Sequence, residues 1–230
     1  MVGDLDEVAA LIDDETAAIL VEPIQGEGGV RIPPDDFLPG LRRLADEHDL
    51  LLIFDEVQTV CGRTGHWFGY QHFDVTPDVM TLAKAICGGI AGGAMITKPE
   101  IAPSLRPGMH ASTFGGNPIA ARAGIAVLET IEADGLLENA QRISELFQTR
   151  LEAIQQECNL IQEVRVLGLM IGVELSVDGT DVVKQCMDRG LLINCTQGVV
   201  LRMLPAMTLA EDEANEGLDI LADVLREQVG

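Results

Sequence analysis

Aromatic side chains are scarce in this chain: one tryptophan, one tyrosine and six phenylalanines among 230 residues, which leaves few groups able to stack on a flat ligand ring. Basic residues are scarce too. Fifteen Lys and Arg stand against 37 Asp and Glu, a formal net charge of −22 at pH 7. A surface of that sign repels nucleic-acid phosphates and anionic membranes, so neither is expected as a partner. The five cysteines (Cys61, Cys87, Cys158, Cys186, Cys195) are odd in number and form no C-x-x-C pair, which argues against a disulfide framework and for a reducing compartment. Of the four histidines only His66 and His72 lie near each other, not at metal-ligand spacing, and no metal is expected. No apolar run reaches the ~20 residues of a membrane-spanning helix. The opening Met1-Val2-Gly3-Asp4-Leu5-Asp6-Glu7 is acidic and lacks the basic-then-apolar order of a signal peptide. A cytoplasmic protein is the expectation. Internal repeats and low-complexity segments are absent.

What is present is a well-patterned globular chain, 47% apolar and long enough for one or two domains with a real core. Residues 4–14 read as a short acidic helix, with Leu5, Val8, Leu11 and Ile12 at helical spacing. Residues 17–21 read as a buried strand ending at Glu22-Pro23, 35–49 as an amphipathic helix with Phe37, Leu38, Leu41 and Leu44 inward, and 51–54 as a second buried strand. Strand, helix, strand is a βαβ unit, so an α/β fold with a mostly parallel sheet is expected. Asp55 and Glu22 then fall at the carboxyl ends of strands, where open α/β sheets place their ligands. Residues 79–82 and 94–97 read as further strands, and 117–133, opening with Asn-Pro, as a long apolar helix. Past residue 130 the pattern changes. A long amphipathic helix over 136–158 leads into strands at 169–175, 191–194 and 199–203 and helices at 181–189 and 211–227. The expected division is a sheet domain over residues 1–130 and a smaller α+β domain over 131–230.

Several residues could carry chemistry. Asp55 directly follows the apolar run Leu51-Leu52-Ile53-Phe54, and a carboxylate at the edge of a buried region needs a partner. Taken alone, a helix cap or a turn aspartate is the more ordinary account of it. Lys84 sits among small residues (Ala83, Ala85, Gly88, Gly89, Gly92, Gly93), which could strip water from its amine and make it a nucleophile; an exposed loop lysine is the plain alternative. The stretch His110-Ala111-Ser112-Thr113-Phe114-Gly115-Gly116-Asn117-Pro118 combines hydroxyls, glycines and a helix start, which suits either phosphate binding or capping. A lysine together with a strand-end carboxylate is what an aldehyde cofactor with a ring nitrogen requires.

Five segments in order sharpen this: Glu22-Pro23-Ile24-Gln25-Gly26-Glu27-Gly28-Gly29, Phe54-Asp55-Glu56-Val57-Gln58-Thr59, Gly62-Arg63-Thr64-Gly65, Leu82-Ala83-Lys84 and Ser112-Thr113-Phe114-Gly115-Gly116-Asn117-Pro118. In residues and order the chain resembles the class III aminotransferases over essentially its whole length. The resemblance implies a fold-type-I large domain, here partial, bearing pyridoxal 5'-phosphate. It implies that Lys84 binds that cofactor as a Schiff base and later moves the substrate proton. It also implies that Asp55 pairs with the ring nitrogen, that Glu56 and Val57 line the cofactor, and that Gln58 bonds its phenolic oxygen. By the same resemblance Thr113 reaches the phosphate in a neighbouring subunit of a homodimer, Ser112 lies near the substrate, and Glu27 pairs with Arg202 as a switch between half-reactions. Amino acids and 2-oxoacids are the implied substrates. N-acetylornithine and 2-oxoglutarate, in arginine biosynthesis, come first, with ornithine, succinyl-diaminopimelate or 4-aminobutyrate as alternative donors.

Two short stretches depart from the family's pattern, Val60-Cys61 and Ala85-Ile86-Cys87. The larger departure is that the chain begins where the family's sequence is near its middle. The phosphate loop, the ring-stacking aromatic and a carboxylate-gripping arginine of the family have no counterpart here. A fragment, or one half of a split enzyme that is silent by itself, is therefore the accompanying expectation.

Overall fold

In the computed structural model, which describes residues 3–229, strand Ala18–Val21 (β1) runs parallel to Leu51–Asp55 (β2), and β2 runs parallel to Val79–Leu82 (β3). Ala94–Thr97 (β4) closes the sheet antiparallel to β3, giving the order β1-β2-β3-β4. Helix Leu5–Leu11 (α1) precedes β1 and is capped by Asp4, whose Oδ1 accepts the Glu7 N–H at 2.9 Å. Helix Phe37–Glu47 (α2) makes the crossover between β1 and β2, as a parallel pair demands.

Alternation along the strands then decides which side is covered. Leu52 and Phe54 point to one face and are fully buried with Phe37, Leu38, Leu41 and Ala45 of α2. The register puts Leu20, Leu51, Asp55, Thr81 and Met95 on the opposite face, where Leu20, Leu51 and Met95 are exposed. The sequence pattern predicts strands buried on both faces. Among the described residues, one face is covered and the other is open at Leu20, Leu51 and Met95, with Val79 on it buried. Helix Pro118–Ala133 (α3), whose cap Asn117 accepts the Ile119 N–H at 2.9 Å, packs on the turn Lys84–Cys87 and leaves Ile119, Ile125 and Leu128 exposed.

A second antiparallel sheet has the order β5-β6-β8-β7, with β5 Ile161–Leu167, β6 Met170–Leu175, β7 Asn194–Thr196 and β8 Val200–Met203. Helices Leu136–Glu157 (α4), Thr180–Asp188 (α5) and Glu211–Val229 (α6) close one face over Ile143, Phe147, Leu151, Ile171, Leu201 and Leu221. β5 is absent from the sequence reading because its Gln162-Glu163 and Arg165 interrupt the apolar alternation. The strand expected at 191–194 begins only at Asn194.

Contacts divide the chain into a first unit of Met1–Pro23, Pro33–Cys61 and His66–Asp134, and a second of Ile24–Ile32, Gly62–Gly65 and Gly135–Gly230. By contacts, two loops that the expected division at residue 130 places in the first domain group with the second unit. Ile24 and Val30 pack with Met170 in a small apolar cluster. The Arg63 guanidinium donates to the carbonyls of Leu169 and Pro205. Gly168 (φ +57°) lies so close to Thr64 that a Cβ would come within 2.2 Å of its carbonyl carbon, so only glycine fits. No described helix is long and apolar enough to cross a membrane.

Candidate active site

In the first unit, Asp55 is the last residue of β2 and stands beside Thr81 of β3 in the parallel register. Its Oδ1 accepts the Val57 N–H at 3.0 Å and the Thr81 hydroxyl at 3.1 Å, and among the described residues no hydrogen bond falls on Oδ2. Both donors hold the carboxylate at the strand end with one oxygen available. Three residues past Thr81, Lys84 opens a short 3-10 turn, Lys84–Cys87, in the left-handed region (φ +50°). A lysine rarely adopts that conformation, and such outliers cluster at functional sites. Asp55 and Lys84 thus leave the carboxyl edge from neighbouring strands. Small residues around Lys84 do not strip its water as expected: the side chain is exposed in this chain.

Glu56, expected among the cofactor contacts, turns its side chain inward. It is fully buried, and its carboxylate accepts the Gly69 and Tyr70 N–H groups, both at 2.8 Å, and the Thr59 hydroxyl. Its own N–H donates to the Thr81 carbonyl. Burial pushes its pKa up, against those hydrogen bonds. The side chain therefore ties the loop 56–70 together, while Val57 and Gln58 on that loop are half-buried and the Gln58 amide has no partner among the described residues. Ser112 and Thr113 are exposed in the turn before α3. A cavity of about 590 Å³ runs from the Lys84–Cys87 turn to this stretch, lined among others by Cys87, Gly92, His110 and Ser112.

In the second unit Arg202 is 9% exposed on β8, and its Nη1 donates to Glu27 Oε1 at 2.6 Å. Asn194, directly opposite in register, accepts from Nη2 at 3.0 Å and donates to the Arg202 carbonyl at 3.1 Å. Arg202 also borders an apolar cavity of about 410 Å³ between the β7–β8 edge and α6. Nothing local marks Thr81 or Asn194 as site residues; only strand register reveals which side chain each faces.

The donor set suits pyridoxal phosphate: an accessible amine for its aldehyde, a carboxylate with an open oxygen for its ring nitrogen, an unengaged amide and two hydroxyls. Among the described residues no group of three or more His, Cys, Asp or Glu gathers as metal ligands would.

Comparison with known proteins points the same way. The family model Aminotransferase class-III matches residues 2–225. The acetylornithine aminotransferase of Caldanaerobacter subterraneus subsp. tengcongensis is 45% identical over 226 residues, covering 98% of this chain and 57% of that protein. That of Methanopyrus kandleri is 47% identical, covering 97% and 57%. Among solved structures, an ornithine δ-aminotransferase of Plasmodium falciparum matches with a TM-score of 0.92 at 31% identity, over 98% of this chain and 60% of its own. The acetylornithine aminotransferase of Elizabethkingia anophelis matches with a TM-score of 0.90 at 33%, over 99% and 58%. The chain spans somewhat over half the length of the curated relatives it matches.

Proposed function

This chain belongs to the class III aminotransferases, and from that premise we propose that it supplies the lysine-bearing part of an enzyme that moves an amino group from N-acetylornithine to 2-oxoglutarate, yielding N-acetylglutamate 5-semialdehyde and glutamate in arginine biosynthesis. The observation that carries the reading is the exit of Asp55 and Lys84 from one sheet edge on adjacent strands. Acetylornithine aminotransferases at 43–47% identity support the choice of donor. Ornithine is the second donor to consider, since ornithine aminotransferases are among the structural neighbours.

Pyridoxal 5'-phosphate, when bound, supplies the electron sink that lets an amino group change carbon skeletons. Lys84 Nζ would hold the cofactor at its aldehyde carbon, and its amine would take the proton from the substrate carbon. Asp55, oriented through Oδ1 by Val57 and Thr81, keeps a proton on the ring nitrogen with Oδ2. Gln58 directs its amide to the phenolic oxygen, and Glu56 keeps the loop bearing Val57 and Gln58 in shape. Thr113 would offer its hydroxyl to a phosphate across a homodimer, with Ser112 near the substrate. Glu27 neutralises Arg202 until a substrate carboxylate arrives. Five free thiols fit a reducing cytoplasm.

In the full-length enzyme, Lys84→Ala should abolish the lysine-dependent cofactor absorbance band and lower turnover by about 10³-fold or more. An unchanged band would refute the assignment, and a preference for 4-aminobutyrate over N-acetylornithine in steady-state assays would overturn the donor. The open face of the first sheet supports a second reading, in which the 230-residue chain by itself turns over nothing; normal turnover by the isolated chain would remove it.

A further inference from the structure

The segment Ile24–Ile32 crosses the second sheet along a single row of register. Arg165 of β5, Gly172 of β6, Arg202 of β8 and Asn194 of β7 stand side by side, on the face opposite the helices. Gly172 is the saddle of this row. A Cβ there would lie 2.9 Å from Val30 Cβ and 3.4 Å from the Gly29 carbonyl oxygen, so the missing side chain is what lets the segment lie down. An arginine flanks it on each side. Arg165, 6% exposed and paired with Glu174 at 2.7 Å, donates Nη2 to the Gly29 carbonyl at 2.9 Å. Arg202 takes the Glu27 carboxylate, as described.

The tip of the β7–β8 hairpin adds a third hold. Gln197 (φ +54°) and Gly198 (φ +74°) turn the chain in two successive left-handed residues, and the turn reaches back over the segment. The Thr196 hydroxyl and the Gln197 amide both donate to the Glu27 carbonyl oxygen, at 2.6 and 2.9 Å. One hairpin therefore carries both the cation that meets the Glu27 side chain and the two donors that fix its main chain. The carboxylate is the exposed part of the residue, with 70% of the side chain open.

We propose that Thr196 and Gln197 are positioning residues of the Glu27 gate, setting how readily a substrate carboxylate displaces Glu27 from Arg202. This rests on the reading of Glu27 and Arg202 as the switch between half-reactions. With the carbonyl held, the carboxylate leaves Arg202 by side-chain rotation on a stationary backbone and returns from a high local concentration. With the carbonyl released, that local concentration falls and an incoming carboxylate competes better. The two substrates feel this oppositely. The reacting carbon of 2-oxoglutarate bears a carboxylate that needs Arg202, whereas the reacting δ-carbon of N-acetylornithine bears none and needs the cation neutralised.

The test uses the full-length holoenzyme carrying Thr196→Val with Gln197→Leu, read by calorimetric binding of glutarate and by the KM and kcat of each half-reaction. Glutarate should bind about three- to tenfold more tightly and kcat/KM for 2-oxoglutarate should rise through a lower KM, while kcat/KM for N-acetylornithine falls. Thr196→Ser with Gln197 intact should restore wild-type values. Glu27→Gln separates the layers. If it tightens glutarate but the hairpin variant does not, or if the hairpin variant moves both half-reactions the same way, the positioning role is overturned. If Glu27→Gln leaves glutarate unaffected, the gate itself fails and the inference falls with it.

Discussion

The second unit buries both faces of its sheet, with three helices on one side and the Ile24–Ile32 segment on the other, whereas the first covers one face with α2 and leaves the other bare. Of the sixteen large apolar side chains exposed among the described residues, twelve belong to the first unit and four to the second. Asp55, Lys84, Ser112 and Thr113 lie on the half-covered unit; Glu27 and Arg202 lie on the closed one. Parallel sheets are ordinarily covered on both faces, so the bare side of β1, β2 and β4 marks a surface that needs company, and Asp55 projects from that side. The contrast teaches that the two halves of the proposed chemistry rest on different foundations. One rests on a sheet whose second face is open at Leu20, Leu51 and Met95, the other on a network of register, glycine and ion pairs.

That contrast can be broken by matched substitutions. Leu151→Ala, in the closed core at 0% exposure, should lower the unfolding free energy of the second unit by about 2–5 kcal/mol, read as a shift in denaturant midpoint. A loss no greater than that of a surface leucine would show the closed core to be an illusion of packing.

Asp78→Asn probes the first unit. Burial pushes the Asp78 carboxyl up, but the Leu52 N–H, Lys98 and Arg42 outweigh it and hold its pKa below the usual range. A depressed carboxylate contributes stability that is present above the unfolded aspartate pKa near ~3.9 and lost as pH falls through the lower folded value. The variant should therefore cost about 1–3 kcal/mol at neutral pH, and its difference from wild type should shrink below about pH 4. A pH-independent difference would place the effect elsewhere. The smallest change belongs to Leu128→Ala on α3, 42% exposed, which should alter stability by no more than about 0.5 kcal/mol while reducing self-association of the isolated chain in sedimentation.

Much of the first unit was legible in the sequence, because a βαβ unit writes itself in local patterns: four apolar residues, a turn, an amphipathic helix, four more. Asp55 and Lys84 were legible as residues, and the family resemblance supplied their company. What escaped reading depends on partners far along the chain. The bond from Thr81 to Asp55 exists only because β2 and β3 are in parallel register. Glu56 reads as a site residue by its neighbours in sequence, yet its carboxylate answers to Gly69 and Tyr70 across a loop. Nor does anything near residue 24 announce that the segment will lie on Gly172. That fit requires a side chain missing nearly 150 residues away.

The left-handed backbone at Lys84 carries a consequence for selection. A side chain held there costs the fold about 1–2 kcal/mol that glycine would not incur. The lysine is thus kept against the grain of its own turn. Selection for heat resistance alone, blind to turnover, would favour glycine at this turn and remove the amine proposed to hold the cofactor.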